Sequence, residues 1–84
     1  MTITELTSRH SNLISNCRDE EFEGRTNYIE TFSDPYSYDY CKVVAIAFHL
    51  DEDATPPKEN SKFKSIGVVH HPNGRGISYY FEMV

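Results

Sequence analysis

The chain opens on a helical pattern. Ile3, Leu6, His10, Leu13, Ile14 and Cys17 recur at spacings of three and four, which stacks them into one stripe on a helix of about 3.6 residues per turn. Ser8, Arg9, Asn12 and Asn16 fill the opposite face. Thr2 followed by Glu5 fits a capping box, in which hydroxyl and carboxylate satisfy backbone N–H groups left unpaired at a helix start. The helix is predicted to end between Arg18 and Glu23. Asp19, Glu20 and Glu21 sit badly against the negative end of a helix dipole, and Gly24 is a stop signal.

Beyond Gly24 the period changes to two, and Asn27 to Phe32 reads as a short strand, closed by the turn signal Ser33-Asp34-Pro35. From Tyr36 to Leu50 the even positions are Tyr36, Tyr38, Tyr40, Lys42, Val44, Ile46, Phe48 and Leu50, and the odd ones are mostly small. One long strand with a bulky aromatic face follows from this alternation. Asp51 to Ser61 is a polar loop broken by Pro56-Pro57. Phe63 to His71 and Gly76 to Val84 then form a hairpin around Pro72-Asn73-Gly74-Arg75, since Asn-Gly suits a tight turn with positive φ at both central residues. In that register His70 faces Ile77, Val68 faces Tyr79 and Ile66 faces Phe81. The expected fold is α+β, a single domain over 1–84 with an N-terminal helix packed on a four-stranded antiparallel sheet as an α-β-β-β-β meander.

Composition agrees with a chain that folds. The apolar fraction is 38% and the charged fraction 25%, with six Tyr and five Phe to fill a core. Eighty-four residues leave room for one domain, near the size where a single core supplies little surplus stability. Cys17 and Cys41 are too few and too unlike in setting for a disulfide scaffold, so both are read as reduced thiols. No segment has signal-peptide character or the roughly 20 apolar residues that span a bilayer. A cytoplasmic location without membrane contact is the expectation.

The net charge is −5, and residues 1–57 carry eleven acids against four bases. That balance disfavours direct binding to phosphate backbones, whose affinity comes from Lys and Arg. A basic protein is the better match.

Catalytic and metal patterns are weak. The histidines and cysteines lack Cys-x-x-Cys or His-x-x-x-His spacing, and adjacent His70 and His71 point to opposite sheet faces. His10 and Cys17 lie two helical turns apart, about 10 Å along the axis. Asp39, Cys41 and His49 share a strand face, yet Cys41 and His49 are on the order of 26 Å apart along it. A triad within that strand is excluded, while one assembled across strands stays open. The acids at Asp19-Glu20-Glu21-Phe22-Glu23 and at Asp51-Glu52-Asp53 have the character of solvated loop carboxylates rather than of a general acid. Asp51, Asp53 and Glu59 miss the calcium-loop pattern, and Gly74-Arg75-Gly76 lacks the residues of a phosphate loop. Neither a catalytic residue, a metal nor a cofactor is expected.

Tyrosine interleaved with acid is the composition of an interface. The expected partner-binding residues are Asp34, Tyr36, Tyr38, Asp39, Tyr40 and Tyr80, together with Glu20, Glu21, Glu23, Asp51, Glu52 and Asp53. One helix covers only one face of a sheet, so a second copy, giving a homodimer, or another protein should cover the other. Size and acidity are those of inhibitors that occupy a basic, nucleic-acid-handling partner, as immunity proteins and phage anti-defence proteins do; this is an analogy of class. The alternative is a small homodimeric enzyme or ligand-binding protein with a pocket at the sheet face. A third reading is a nucleic-acid binder using Lys58, Lys62, Lys64 and Arg75 with Phe63 and Tyr80 as stacking platforms.

Overall fold

A computed structural model describes residues 1–9, 12–22, 24–36 and 42–84. The fold is α+β: a short helix α1 (Ile3–Arg9), then strands β1 (Ile14–Phe22), β2 (Arg25–Asp34), β3 (Lys42–Leu50), β4 (Phe63–His70) and β5 (Ile77–Met83). All five strands join one antiparallel sheet in the order β1-β2-β3-β5-β4.

The helix starts as expected, with the Thr2 hydroxyl accepting the Glu5 N–H at 3.1 Å. It stops at Arg9 rather than near Arg18, and the residues from Ile14 onward form a fifth strand. Gly24 therefore turns a hairpin in which Phe22 pairs with Arg25, instead of ending a helix. Pairing along β2 satisfies the inward-facing backbone groups of β1, and that outweighs the partial helical period of Leu13, Ile14 and Cys17. Seven residues are too few for an isolated helix to persist. Docking holds α1 in place, with Leu6 buried beside Phe32, Ala45 and Ala47.

The strand order corrects the simple meander. β5 enters between β3 and β4. The chain places its more buried strand inside and the strand bearing Lys64 and Ser65 at the edge, as edge strands tolerate charge and central ones do not. The Asn73-Gly74 turn has the expected positive φ, 61° and 67°, and His70 pairs with Ile77 and Val68 with Tyr79. Ile66 does not face Phe81, because a bulge at Ile66 shifts the register so that Ser65 pairs with Phe81. A second bulge at Val44 interrupts the β2–β3 register. Each extra residue reverses the side-chain alternation on one side of it. Phe63 thereby joins the face of Phe81, and Ile66 the face of Tyr80.

Two apolar clusters result. Leu6, Phe32, Ala45 and Ala47 lie under α1, with Ile66 and Tyr80 packed against them. Ile29, Ile46, Phe48, Tyr79 and Phe81 fill the other face, bordered by Phe22 and Phe63. Phe22 and Phe63 come from β1 and β4, the two edges of the sheet, yet their ring centroids are 5.9 Å apart. The sheet therefore curls until its edges nearly meet at that end, and this second face is concave. Among the described residues no helix is long and apolar enough to cross a membrane.

Candidate functional site

β1 is an edge strand, and its burial is unusually low for a nine-residue strand: every residue from Ile14 to Glu21 is exposed and only Phe22 is half-buried. Its alternation sends Arg18, Glu20 and Phe22 toward the concave face and Cys17, Asp19 and Glu21 toward the helix side, as their cross-strand pairing with Ile29 and Tyr28 fixes. Arg18 pairs with Glu20 at 2.8 Å in a solvated bridge that is worth about 0–1 kcal/mol. Asp19 and Glu21 have no ion-pair partner among the described residues, so the strand keeps a net negative edge. The Cys17 thiol is free and exposed. Its proximity is the first cause that holds the Tyr28 hydroxyl above the ordinary tyrosine value, ahead of burial and of the charges of Asp19 and Glu30.

On the concave side Phe22, Ile29, Ile46, Phe48 and Phe63 line a cavity of about 200 Å³, with Arg18 and Glu20 at its lip. Its walls are almost wholly apolar.

The helix side carries a polar chain across three strands and the β4–β5 turn. His49 on β3 lies opposite Ser78 on β5 and near Glu30 on β2. His49 Nε2 is 3.0 Å from Glu30 Oε1 and His49 Nδ1 is 2.7 Å from Ser78 Oγ; His71 Nε2 meets the same Oγ at 2.7 Å. Ser15 donates to the other Glu30 oxygen. A carboxylate only accepts, so neutral His49 carries its proton on Nε2 and presents a bare Nδ1. Ser78 donates its one proton to that nitrogen and accepts from His71 Nε2–H. His71 Nδ1 is then bare, and it has no hydrogen-bond partner among the described residues. Ser78 is fully buried, which keeps its hydroxyl from serving as an exposed nucleophile. Tyr28 and Tyr80 flank His49, with ring centroids at 6.1 and 6.4 Å.

The residues expected to bind a partner divide by place. Glu20 and Glu21 lie on the open edge of β1. Asp51 lines a cleft of about 370 Å³ together with Asp19 and Tyr28, so the acidic loop and the acidic strand meet there. Glu52 and Asp53 are exposed further along that loop. Asp34, half-buried at the end of β2, accepts the Tyr36 N–H at 2.9 Å and faces Arg9 at 3.9 Å. Tyr36 is 87% exposed, while Tyr80 is half-buried against the cluster under α1. Glu23, Tyr38, Asp39 and Tyr40 lie outside the described residues, as does Cys41. Among the described residues no group of three or more His, Cys, Asp and Glu could hold a metal ion.

Sequence reasoning missed the Glu30–His49–Ser78–His71 chain. Alternation places His49 and Ser78 each on a face, but only the adjacency of β3 and β5 brings them together. Compared with known proteins, the chain matches no family model, no curated protein and no solved structure.

Proposed function

We propose that the protein acts by binding a basic protein along β1, as an inhibitor or adaptor rather than as a catalyst. The observation that carries this reading is an edge strand of nine residues whose outward backbone groups have no strand partner among the described residues and whose exposed side chains include Asp19, Glu20 and Glu21. An extended segment added to such an edge gains main-chain hydrogen bonds, and alternate side chains supply specificity. Charge on an edge strand also keeps copies of the protein from pairing there. Here the acids select a strand bearing Lys or Arg, of the kind found in proteins that handle nucleic acids.

The test uses a synthetic peptide of alternating Lys and Val, with an alternating Glu and Val peptide as control, followed by fluorescence anisotropy. The Lys peptide should bind and should weaken as salt rises, because exposed charges are screened over about 8 Å at physiological ionic strength. Reversing Glu20 and Glu21 to Lys should abolish that binding, whereas reversing Glu52 and Asp53 makes the same change in net charge and should cost much less. Equal losses from the two double variants would show attraction to net charge alone and would sink the β1 assignment.

A second reading is favoured by the concave cavity, whose size exceeds the roughly 150 Å³ in which a dry apolar site holds benzene. A small aromatic ligand there should shift the ring signals of Phe48 and Phe63, and unshifted rings at saturating benzene would dismiss it.

A further inference from the structure

The cavity bounded by the end of β3 and the β4–β5 turn, about 200 Å³ in volume, gathers three polar groups of different kinds. Arg75 supplies a guanidinium, which only donates; Asp51 supplies a carboxylate, which only accepts. Neither has an ion-pair partner among the described residues. The third is His71, whose Nε2–H is committed to Ser78, so that its remaining nitrogen is an acceptor held in place by the buried chain through Ser78 and His49 to Glu30. Cooperative polarisation along such a chain strengthens the acceptor at its end.

A ligand that satisfies all three must accept from Arg75, best through an anionic oxygen, and must also bring hydrogen-bond donors for Asp51 and His71. A carboxylate or a sulfate meets Arg75 but offers only lone pairs to Asp51 and His71. A phosphate ester keeps at most one P–O–H once it is ionised, whereas dihydrogen phosphate carries two P–O–H groups and two oxygens that share one negative charge, so this one tetrahedral ion can donate to both acceptors while it accepts from Arg75. We propose that this cavity is a site for inorganic phosphate bound in its dihydrogen form, with Arg75 as the cationic donor and with Asp51 and His71 Nδ1 each accepting from one P–O–H. None of its three groups lies on β1, although Asp51 also borders the cleft beside that strand.

The experiment is a titration of the whole chain with inorganic phosphate and, at matched ionic strength, with sulfate, followed by the ring ¹⁵N signals of His71 and its neighbour His70. Phosphate should shift His71 saturably and leave exposed His70 unmoved. Sulfate, equal in size and without a proton, should bind at least about tenfold more weakly. Arg75→Gln, at an exposed position, should remove phosphate binding. Asp51→Asn gives the site a side chain that can donate and should narrow the gap between phosphate and sulfate. Equal affinity for the two anions, binding that survives Arg75→Gln, or saturable shifts with glycine in place of phosphate would each overturn the proposal. So would the absence of any saturable shift at millimolar phosphate.

Discussion

Gly76 follows the β4–β5 turn with φ of 109°, a conformation that side chains rarely adopt, and a Cβ there would meet the Leu50 carbonyl oxygen at 2.5 Å. Backbone cannot swing aside as a side-chain tip can. Gly76→Ala should therefore cost about 2 kcal/mol or more, lowering the melting temperature of a domain this small by roughly 10 °C. A melting curve that matches the parent would show the turn to be more pliant than this contact allows. Tyr80 sets a pH dependence. Burial first, then the charge of Glu30, holds its hydroxyl above the ordinary tyrosine value, against a smaller opposing effect of the neighbouring Ser78. The folded chain thus keeps a proton that the unfolded chain loses, so stability is full below the ordinary tyrosine range and falls as pH rises through the folded value. Urea unfolding from neutral to alkaline pH should show this decline, and Tyr80→Phe should flatten it. Tyr28, shifted in the same direction, contributes with the same sign. An unchanged slope in Tyr80→Phe would assign the decline elsewhere.

Elements with one dominant signal were legible in the sequence, and those with two competing signals were not. The β4–β5 hairpin follows from Asn73-Gly74, and its positive φ values confirm the turn chemistry. The core half of β3 follows from alternation: Ile46 and Phe48 share a face as expected. The segment from Leu13 to Phe22 carried a helical stripe in its first half and no clear alternation of apolar residues in its second, because an exposed edge strand has no buried face to display. Its pairing with β2 is a long-range fact that no local period encodes. The same limit hid the bulges at Val44 and Ile66, each of which moves neighbouring side chains to the opposite face. Half of the candidate edge was nevertheless visible, since Glu20 and Glu21 stood out by charge alone. Phe22 anchors β1 to the rest of the sheet through Phe48 at 5.3 Å and Phe63 at 5.9 Å. Phe22→Ala should cost roughly 2 kcal/mol, less than the 3 to 5 typical of a fully buried ring because Phe22 is half-exposed. The loss should be local, with amide exchange quickening in β1 more than in β5. Uniform quickening across the sheet would mean that β1 unfolds only with the whole.

Curl is the property of the whole molecule that matters most. A flat sheet with one helix leaves an apolar face in need of a cover, and that need motivated the expectation of a second copy. Here Phe22 and Phe63 approach from the two edges, and Ile46 and Phe48 are buried within the chain itself. Yet the edges do not pair, since β1 and β4 stand at opposite ends of the strand order. The two edges differ in what they offer. On β4 the Ser65 N–H is taken by the Glu59 carboxylate at 2.9 Å, whereas among the described residues the backbone of β1 is bonded by β2 alone, through the ladder and through the Thr31 hydroxyl on the Asn16 carbonyl and the Asn27 amide on the Phe22 carbonyl. With acid on the open edge, Lys64 on the capped one and a net charge of −5, the proposed place for a basic strand is β1. Hydrogen–deuterium exchange with and without the alternating Lys and Val peptide tests that place most directly. The account predicts that amides of β1 gain protection when the peptide binds while those of β4 do not change; protection confined to the 51–62 loop or to β4, with β1 untouched, would contradict it.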